Sequence, residues 1–176
     1  DTMGLQTLAD SGDAGAKLAL GLLLNAGIGQ EMNQSLAIQC FRRAAMAGDS
    51  VAMNLLAGMI EEGHCIVDAQ AETAADWYRK AAEQGDADAQ SSLAWMYKYG
   101  RGVAQDHSDA MRWWRKAAEQ GDAQAQYNLG FSHDMGHGVV QDHTEAVRWY
   151  RKAAEQGLHD ANARRPGQLV GADHRA

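Results

Sequence analysis

A ten-residue segment of this chain recurs almost letter for letter, and its period constrains the fold more than any other feature. Residues 81–90 are AAEQGDADAQ, and residues 117–126 are AAEQGDAQAQ. Gly-Asp pairs mark the same register every 36 or 37 residues, at Gly12-Asp13, Gly48-Asp49, Gly85-Asp86 and Gly121-Asp122. A period of this length is typical of repeat architectures, in which each unit buries its apolar face against its neighbours.

Each period contains two stretches with the spacing of an amphipathic helix. In the third repeat, Ala89, Leu93 and Tyr97 share one face of a first helix that Gly100 should end. Asp106 should then cap the start of a second helix. The same pattern, applied along the chain, predicts helices over 13–26, 34–47, 49–62, 70–84, 86–99, 106–120, 122–135 and 142–156.

The second helices carry small and large residues at fixed positions. The small positions are the alanine pairs Ala44-Ala45, Ala81-Ala82, Ala117-Ala118 and Ala153-Ala154. The large positions are the tryptophan column of Trp77, Trp113 and Trp149, and beside it Phe41, Tyr78, Trp114 and Tyr150. Small residues let helices approach closely and large ones fill the remaining gaps, so both sets are predicted to be core.

These residues resemble the Sel1-like repeat, a branch of the tetratricopeptide-like α/α solenoids. In the fourth repeat the motif comprises Leu129-Gly130, Gly136-His137-Gly138-Val139, Asp142, Ala146, Trp149-Tyr150, Lys152-Ala153-Ala154 and Gly157. The resemblance implies an all-α, right-handed α/α superhelix of four repeats within a single domain, residues 1–176. The repeats are predicted at 12–47, 48–84, 85–120 and 121–156, with a partial repeat over 1–9 and a C-terminal cap and tail over 157–176.

Composition argues against nucleic-acid binding and against a membrane-spanning helix. The formal charge is −7, and each recurrent Arg-Lys pair is followed by a glutamate, which indicates a solvated helix face rather than a nucleic-acid site. No apolar run reaches 18 residues, so we expect no membrane span. The negative charge should instead steer a basic protein partner.

The residues that could carry chemistry do not form a recognisable catalytic motif. No serine is followed by lysine three residues later, and Gly-x-Ser-x-Gly is absent. His133, His137 and His143 cluster in the fourth repeat, but Gly136 should end the helix between the first two. We therefore interpret His133 as a structural substitute for a core tyrosine, and we expect no catalytic residue, metal or cofactor.

Two cysteines leave a disulfide open. Cys40 occupies a core position in a second helix, whereas Cys65 lies at the tip of a loop that carries one inserted residue. About two helical turns, or roughly 10 Å, separate these positions, and bridged Cα atoms lie within about 7 Å. Only an inward-folded loop would allow the bridge, so a disulfide and two separate thiols both remain possible.

The candidate partner-binding residues lie on the first helices. In tetratricopeptide-like arrays these helices line the concave face, and some of their positions are not fixed by the repeat pattern. Three such positions carry aromatic residues, Trp95, Tyr127 and Phe131, with Lys98 and Asn128 nearby for polar contacts. Aromatic residues beyond the packing requirement are typical interface anchors. Ordinary packing between repeats is the alternative explanation.

The resemblance implies a non-catalytic module that binds a protein or peptide. Family roles include neutralising bacterial effectors as immunity proteins and adaptor functions in the cell envelope, which favour a periplasmic or secreted location over a cytoplasmic one. Two alternatives remain. One is an enzyme acting on β-lactams or cell-wall material, as suggested by cysteine-rich relatives. The other is a structural spacer of a larger chain.

Overall fold

The computed structural model describes residues 7–28, 33–64 and 73–158. These residues form helices and their connections, and no strand occurs among them. The helices are α1 (Ala14–Ala26), α2 (Gln34–Met46), α3 (Ser50–Glu61), α4 (Ala74–Glu83), α5 (Ala87–Tyr99), α6 (His107–Glu119), α7 (Ala123–Met135) and α8 (His143–Glu155). Residues 7–10 are also helical. The prediction of an all-helical chain with two helices per repeat is confirmed.

One predicted helix boundary is wrong. Helix α4 begins at Ala74 rather than at residue 70, because Thr73 adopts an extended conformation and caps the helix. The Thr73 hydroxyl accepts the Asp76 backbone N–H, and the Asp76 carboxylate accepts the Thr73 N–H at 3.0 Å. The Thr73 hydroxyl also donates to Asp76 Oδ2 at 2.8 Å, and the two hydrogen bonds that the carboxylate accepts from Thr73 hold the pKa of Asp76 below its ordinary value. Residues 70–72 and the predicted loop insertion near Cys65 lie outside the described residues, as does most of the predicted cap and tail.

The chain divides into two compact units, residues 1–84 and 85–176. In the first unit α1 packs on α2, α2 on α3, and α3 on α4. In the second unit α5 packs on α6, α6 on α7, and α7 on α8. Each unit is thus a stack of two repeats, and every repeat contributes one pair of contacting helices.

The recurrent Gly-Asp pair joins one repeat to the next. Gly121 has a φ of 98°, a backbone conformation that glycine adopts readily and other residues rarely do. The Asp122 backbone N–H then donates to the Ala117 carbonyl at 3.0 Å, which closes the end of α6. The Asp122 side chain accepts the Ala125 N–H and so caps the start of α7. This pair therefore ends α6 and starts α7.

Within a repeat, an aromatic ring of the second helix lies directly on a small residue of the first. A Cβ atom built on Gly130 would lie 2.7 Å from Tyr150 Cδ1, and one on Gly21 would lie 2.6 Å from Phe41 Cε1. Both distances are far shorter than ordinary carbon–carbon contacts. The glycine of the Leu-Gly motif is therefore required in these two repeats.

The tryptophan column is only partly core. Trp77 and Trp113 are buried, with 8% and 5% of their surface exposed. Trp149 and Tyr150, also predicted as core, are only partly buried, because α8 packs on α7 and on no later helix among those described. A lysine three residues on covers each indole: Lys80 at 4.6 Å, Lys116 at 4.3 Å and Lys152 at 4.4 Å from the ring centroid.

The glutamine of the recurrent AAEQG segment links the two helices of a repeat. Gln120 Nε2 donates to Gln90 Oε1 at 2.8 Å, and Gln156 Nε2 donates to Gln126 Oε1 at 2.9 Å. Gln90 and Gln126 are both buried, with about 5% exposure or less. These amides therefore explain why a polar residue recurs beside the alanine pairs.

We expect Trp113→Ala to lower the free energy of unfolding by about 3–5 kcal/mol, because truncating a buried tryptophan leaves a large cavity. The matched control is Trp149→Ala, which occupies the same register but is only partly buried and should cost less. Chemical denaturation followed by circular dichroism measures both variants. Equal losses at the two positions would contradict the burial difference between them.

Asp122 caps the start of α7, and its surroundings disfavour the charged form of its side chain. Burial raises the pKa of Asp122 above its ordinary value of 3.8, and the nearby Asp88 carboxylate raises it further. Hydrogen bonds from the Ala125 N–H and from the Ser91 hydroxyl, the latter at 3.5 Å, oppose this rise without cancelling it. The native state therefore binds the Asp122 proton more tightly than the unfolded chain does.

It follows that Asp122 contributes stability at low pH, and that this contribution is lost as the pH rises through the native pKa. Asp122→Asn keeps an oxygen that can cap α7 but removes the buried charge. We expect the variant to be at least as stable as the parent at neutral pH, with an advantage that shrinks as the pH falls toward 4. Urea denaturation across this range measures it, with Asp142→Asn, an exposed cap, as the control. A pH-independent difference between the Asp122 variant and the parent would refute the assignment.

Candidate functional site

Lys98 lies among four aromatic rings on the second unit. Its Nζ atom lies 4.8 Å from the centroid of Trp95, 5.1 Å from Tyr99, 5.6 Å from Trp114 and 5.3 Å from Phe131. Each distance is within the range of a cation–π interaction. We call these five residues the Lys98 cluster, and the surface of α5 and α7 around it the first-helix face.

Contacts between the rings hold the cluster together. Trp95 stacks on Tyr99 with centroids 5.2 Å apart and an angle of 12° between the planes. Trp95 also meets Trp114 edge to face at 5.7 Å and 85°. Offset-stacked and edge-to-face arrangements are the favourable geometries for aromatic pairs. Because Trp114 is fully buried in its helix pair, it fixes the cluster to the core of the unit.

The structure brings three of the five predicted site residues together. Trp95, Lys98 and Phe131 belong to the cluster. Tyr127 instead pairs with Tyr150 of α8, with centroids 5.4 Å apart, so its ring supports the contact between α7 and α8. Asn128 is buried, with 5% exposure.

Two members of the cluster were not among the predicted site residues. Tyr99 follows Trp95 by four residues, a spacing that places two side chains on the same helix face, so this pair was readable from the sequence. Trp114 is buried in the core, as predicted. The same ring also contacts Trp95 and so belongs to the cluster. The residue spacing within α6 does not predict that the Trp114 ring reaches Lys98 on α5.

Several buried donors at this face lack a partner. Trp95 Nε1, Trp114 Nε1 and Asn128 Nδ2 have no hydrogen-bond acceptor within the described part of the chain. The Asn128 Oδ1 atom accepts from Gln124 Nε2 at 3.4 Å, so only the donor side of this amide is unused. Unpaired buried polar groups are uncommon and call for an explanation.

The histidines of the fourth repeat separate into three environments. His137 stacks on His107 with centroids 6.1 Å apart and meets Phe131 edge to face at 5.7 Å. His143 Nδ1 lies 2.8 Å from Asp134 Oδ1 at an exposed position. No group of three potential metal ligands occurs within the described residues.

His133 is buried, as the structural interpretation predicted, with 8% of its surface exposed. Neither ring nitrogen of His133 has a hydrogen-bond partner in the described part of the chain. Its ring replaces an aromatic ring in shape without gaining polar contacts.

Cys40 is buried on α2, and burial raises the pKa of its thiol. A raised pKa keeps the sulfur protonated and lowers its reactivity. Cys40 is a free thiol in this structure, and Cys65 lies outside the described residues.

Helices paired two by two, with one motif per pair, define an α/α repeat protein. The Sel1 repeat family matches the chain at residues 14–49, 50–86, 87–122 and 123–158. The chain therefore belongs to the Sel1 repeat family, as the sequence motif indicated. Sel1 repeats are typically non-catalytic modules for protein–protein interaction.

Two solved structures are similar in sequence as well as in fold. A protective antigen of uropathogenic Escherichia coli strains, which displays an SLR fold, is 37% identical, with a TM-score of 0.85 over 90% of this chain and 34% of that one. A Sel1 repeat protein from Oxalobacter formigenes is 32% identical, with a TM-score of 0.81 over 89% of this chain and 64% of that one. This chain thus spans about a third of the first and under two thirds of the second.

An immunity protein from Pseudomonas aeruginosa is 23% identical, with a TM-score of 0.58 over 89% of this chain and 57% of that one. Identity at this level supports the fold alone. No curated protein matches the chain. In the described ranges, no helix has the length and apolar character needed to cross a membrane.

Proposed function

We propose that the chain binds a protein or peptide partner through the first-helix face of its second unit, with Trp95 and Phe131 as the apolar anchors. The observation that carries the proposal is the Lys98 cluster. Four aromatic rings converge on one partly exposed lysine, whereas the repeat motif requires only one of them, Trp114, for its core. The other three rings are additional to what the helix pair needs.

The burial of these side chains supports an interface. Trp95, Lys98 and Phe131 are each partly buried, and Tyr99 is 49% exposed. Aromatic rings on a rigid helix surface give large contact areas for little loss of side-chain freedom, and they dominate the binding energy of many interfaces. The partner stabilises the face by covering this area.

Neutralisation of a bacterial effector, or an adaptor role in the envelope, would each be a narrower form of this function. The Pseudomonas aeruginosa protein named as an immunity protein is too distant to carry such a role over. The alternative of an enzyme acting on β-lactam or cell-wall material is supported by no observation at the first-helix face. The spacer alternative predicts that substitutions at this face have no effect on binding.

The proposal is tested with a partner captured by the parent chain and then purified. Trp95→Ala and Phe131→Ala should each weaken its binding about thirtyfold, which corresponds to about 2 kcal/mol for an interface anchor. Isothermal titration calorimetry measures the affinities, and circular dichroism confirms that the variants remain helical.

Leu22→Ala is the matched control. Leu22 occupies the same register of the first repeat, in the other compact unit, and is 45% exposed. Truncating it should leave the affinity unchanged. If Leu22→Ala weakens binding while both aromatic variants bind as the parent does, the interface lies outside the Lys98 cluster.

A further inference from the structure

Lys98 is oriented by aromatic rings rather than by a carboxylate. Its ammonium group lies within 5.6 Å of four ring centroids. Across residues 7–28, 33–64 and 73–158, no acidic side chain forms an ion pair with it, although the chain has 23 acidic residues against 16 lysines and arginines. In an acidic protein, a held lysine whose charge has no acidic partner marks a place where a negative group gains electrostatic complementarity.

The other unpaired groups at the cluster have the same polarity. The indole N–H groups of Trp95 and Trp114 have no acceptor in the described part of the chain. Indole and ammonium groups donate hydrogen bonds and cannot accept them. The unbalanced partial charges around the cluster are therefore positive.

A cationic group of a partner fits this site poorly. Ring faces attract cations, but here Lys98 already lies over all four of them. A partner's lysine or arginine would have to approach the ammonium group closely or displace it, and like charges at a few ångströms repel. A carboxylate meets neither obstacle, because it attracts the ammonium group of the partly buried Lys98 and does not compete with it for the rings.

Apolar surface flanks the charge. Tyr99 is 49% exposed, and Met135, one turn after Phe131 on α7, is 52% exposed. An acidic residue that reaches Lys98 would therefore bring its neighbours in the partner onto side chains that gain from leaving water. The complementary segment is an aspartate or glutamate with large apolar neighbours.

We propose that the Lys98 cluster binds an acidic side chain of the partner, held by the Lys98 ammonium group and flanked by apolar residues. This inference rests on the proposed function, since it assigns the partner's chemistry at the same face. The ion pair is a charge-assisted hydrogen bond whose geometry the rings fix in advance. Removing the charge of either partner should therefore cost measurable affinity.

The test uses the full chain and labelled hexapeptide pools that differ at one central position, fixed as Glu, Gln or Lys. Leucine or phenylalanine flanks that position, and the remaining positions are uncharged. We expect the Glu pool to bind the parent about tenfold more tightly than the Gln pool. Lys98→Met should abolish this ratio, and Lys98→Arg should restore part of it. Fluorescence anisotropy measures the affinities.

Lys116→Met is the matched control. Lys116 also lies over an indole, 4.3 Å from the Trp113 centroid, but on the second helix α6. Its replacement removes the same charge and the same kind of ring contact, so the Glu-to-Gln ratio should stay at its parent value. Circular dichroism shows whether each lysine variant keeps its helices.

Equal affinity of the Glu and Gln pools for the parent, or no binding of either, overturns the inference. A Glu preference that survives in Lys98→Met overturns it as well. If the Lys pool binds most tightly and this binding is lost in Trp95→Ala, the proposed acidic side chain is wrong. The same result supports the proposed function of the first-helix face. Binding of every pool that is unaffected by Trp95→Ala contradicts both.

Discussion

The contact between one aromatic ring of the second helix and one small residue of the first sets the geometry of the helix pairs. At Gly130 and Gly21 there is no room even for a Cβ atom, since the Tyr150 and Phe41 rings lie within 2.7 Å and 2.6 Å of its position. At this contact the two helices of these repeats are thus closer than a residue with a Cβ atom would allow, and close packing leaves little freedom in how they cross.

The candidate site lies on the first helices of the second unit. Trp114 on the second helix α6 is almost fully buried, whereas Trp95 on α5 and Phe131 on α7 are only partly buried. Because the buried Trp114 ring contacts Trp95 edge to face, the candidate site packs directly on the core of the second unit. In the proposed interface this contact preorganises the rings, which reduces the entropy lost on binding.

The sequence predicted most of the fold because its signals are local. A glycine of positive φ followed by a capping aspartate ends one helix and begins the next, as Gly121 and Asp122 do. The predicted start of α4 is wrong because the Thr73 cap, and not the apolar spacing, determines where this helix begins. The site was predicted less well, because the direction of a side chain depends on its rotamer and neighbours. Tyr127 lies one turn before Phe131, yet it pairs with Tyr150 instead of joining the cluster.

Two electrostatic effects act on a partner at different ranges. The net charge of −7 acts over the Debye length, about 8 Å at physiological salt, and attracts a protein that is basic overall. In the proposed interface Lys98 acts at contact distance, where its ammonium group favours an acidic side chain. The two requirements do not conflict, because one concerns the partner's whole surface and the other a single side chain. A basic protein that presents one acidic residue between apolar neighbours satisfies both, and the two contributions separate experimentally because salt screens the first more strongly than a partly buried pair.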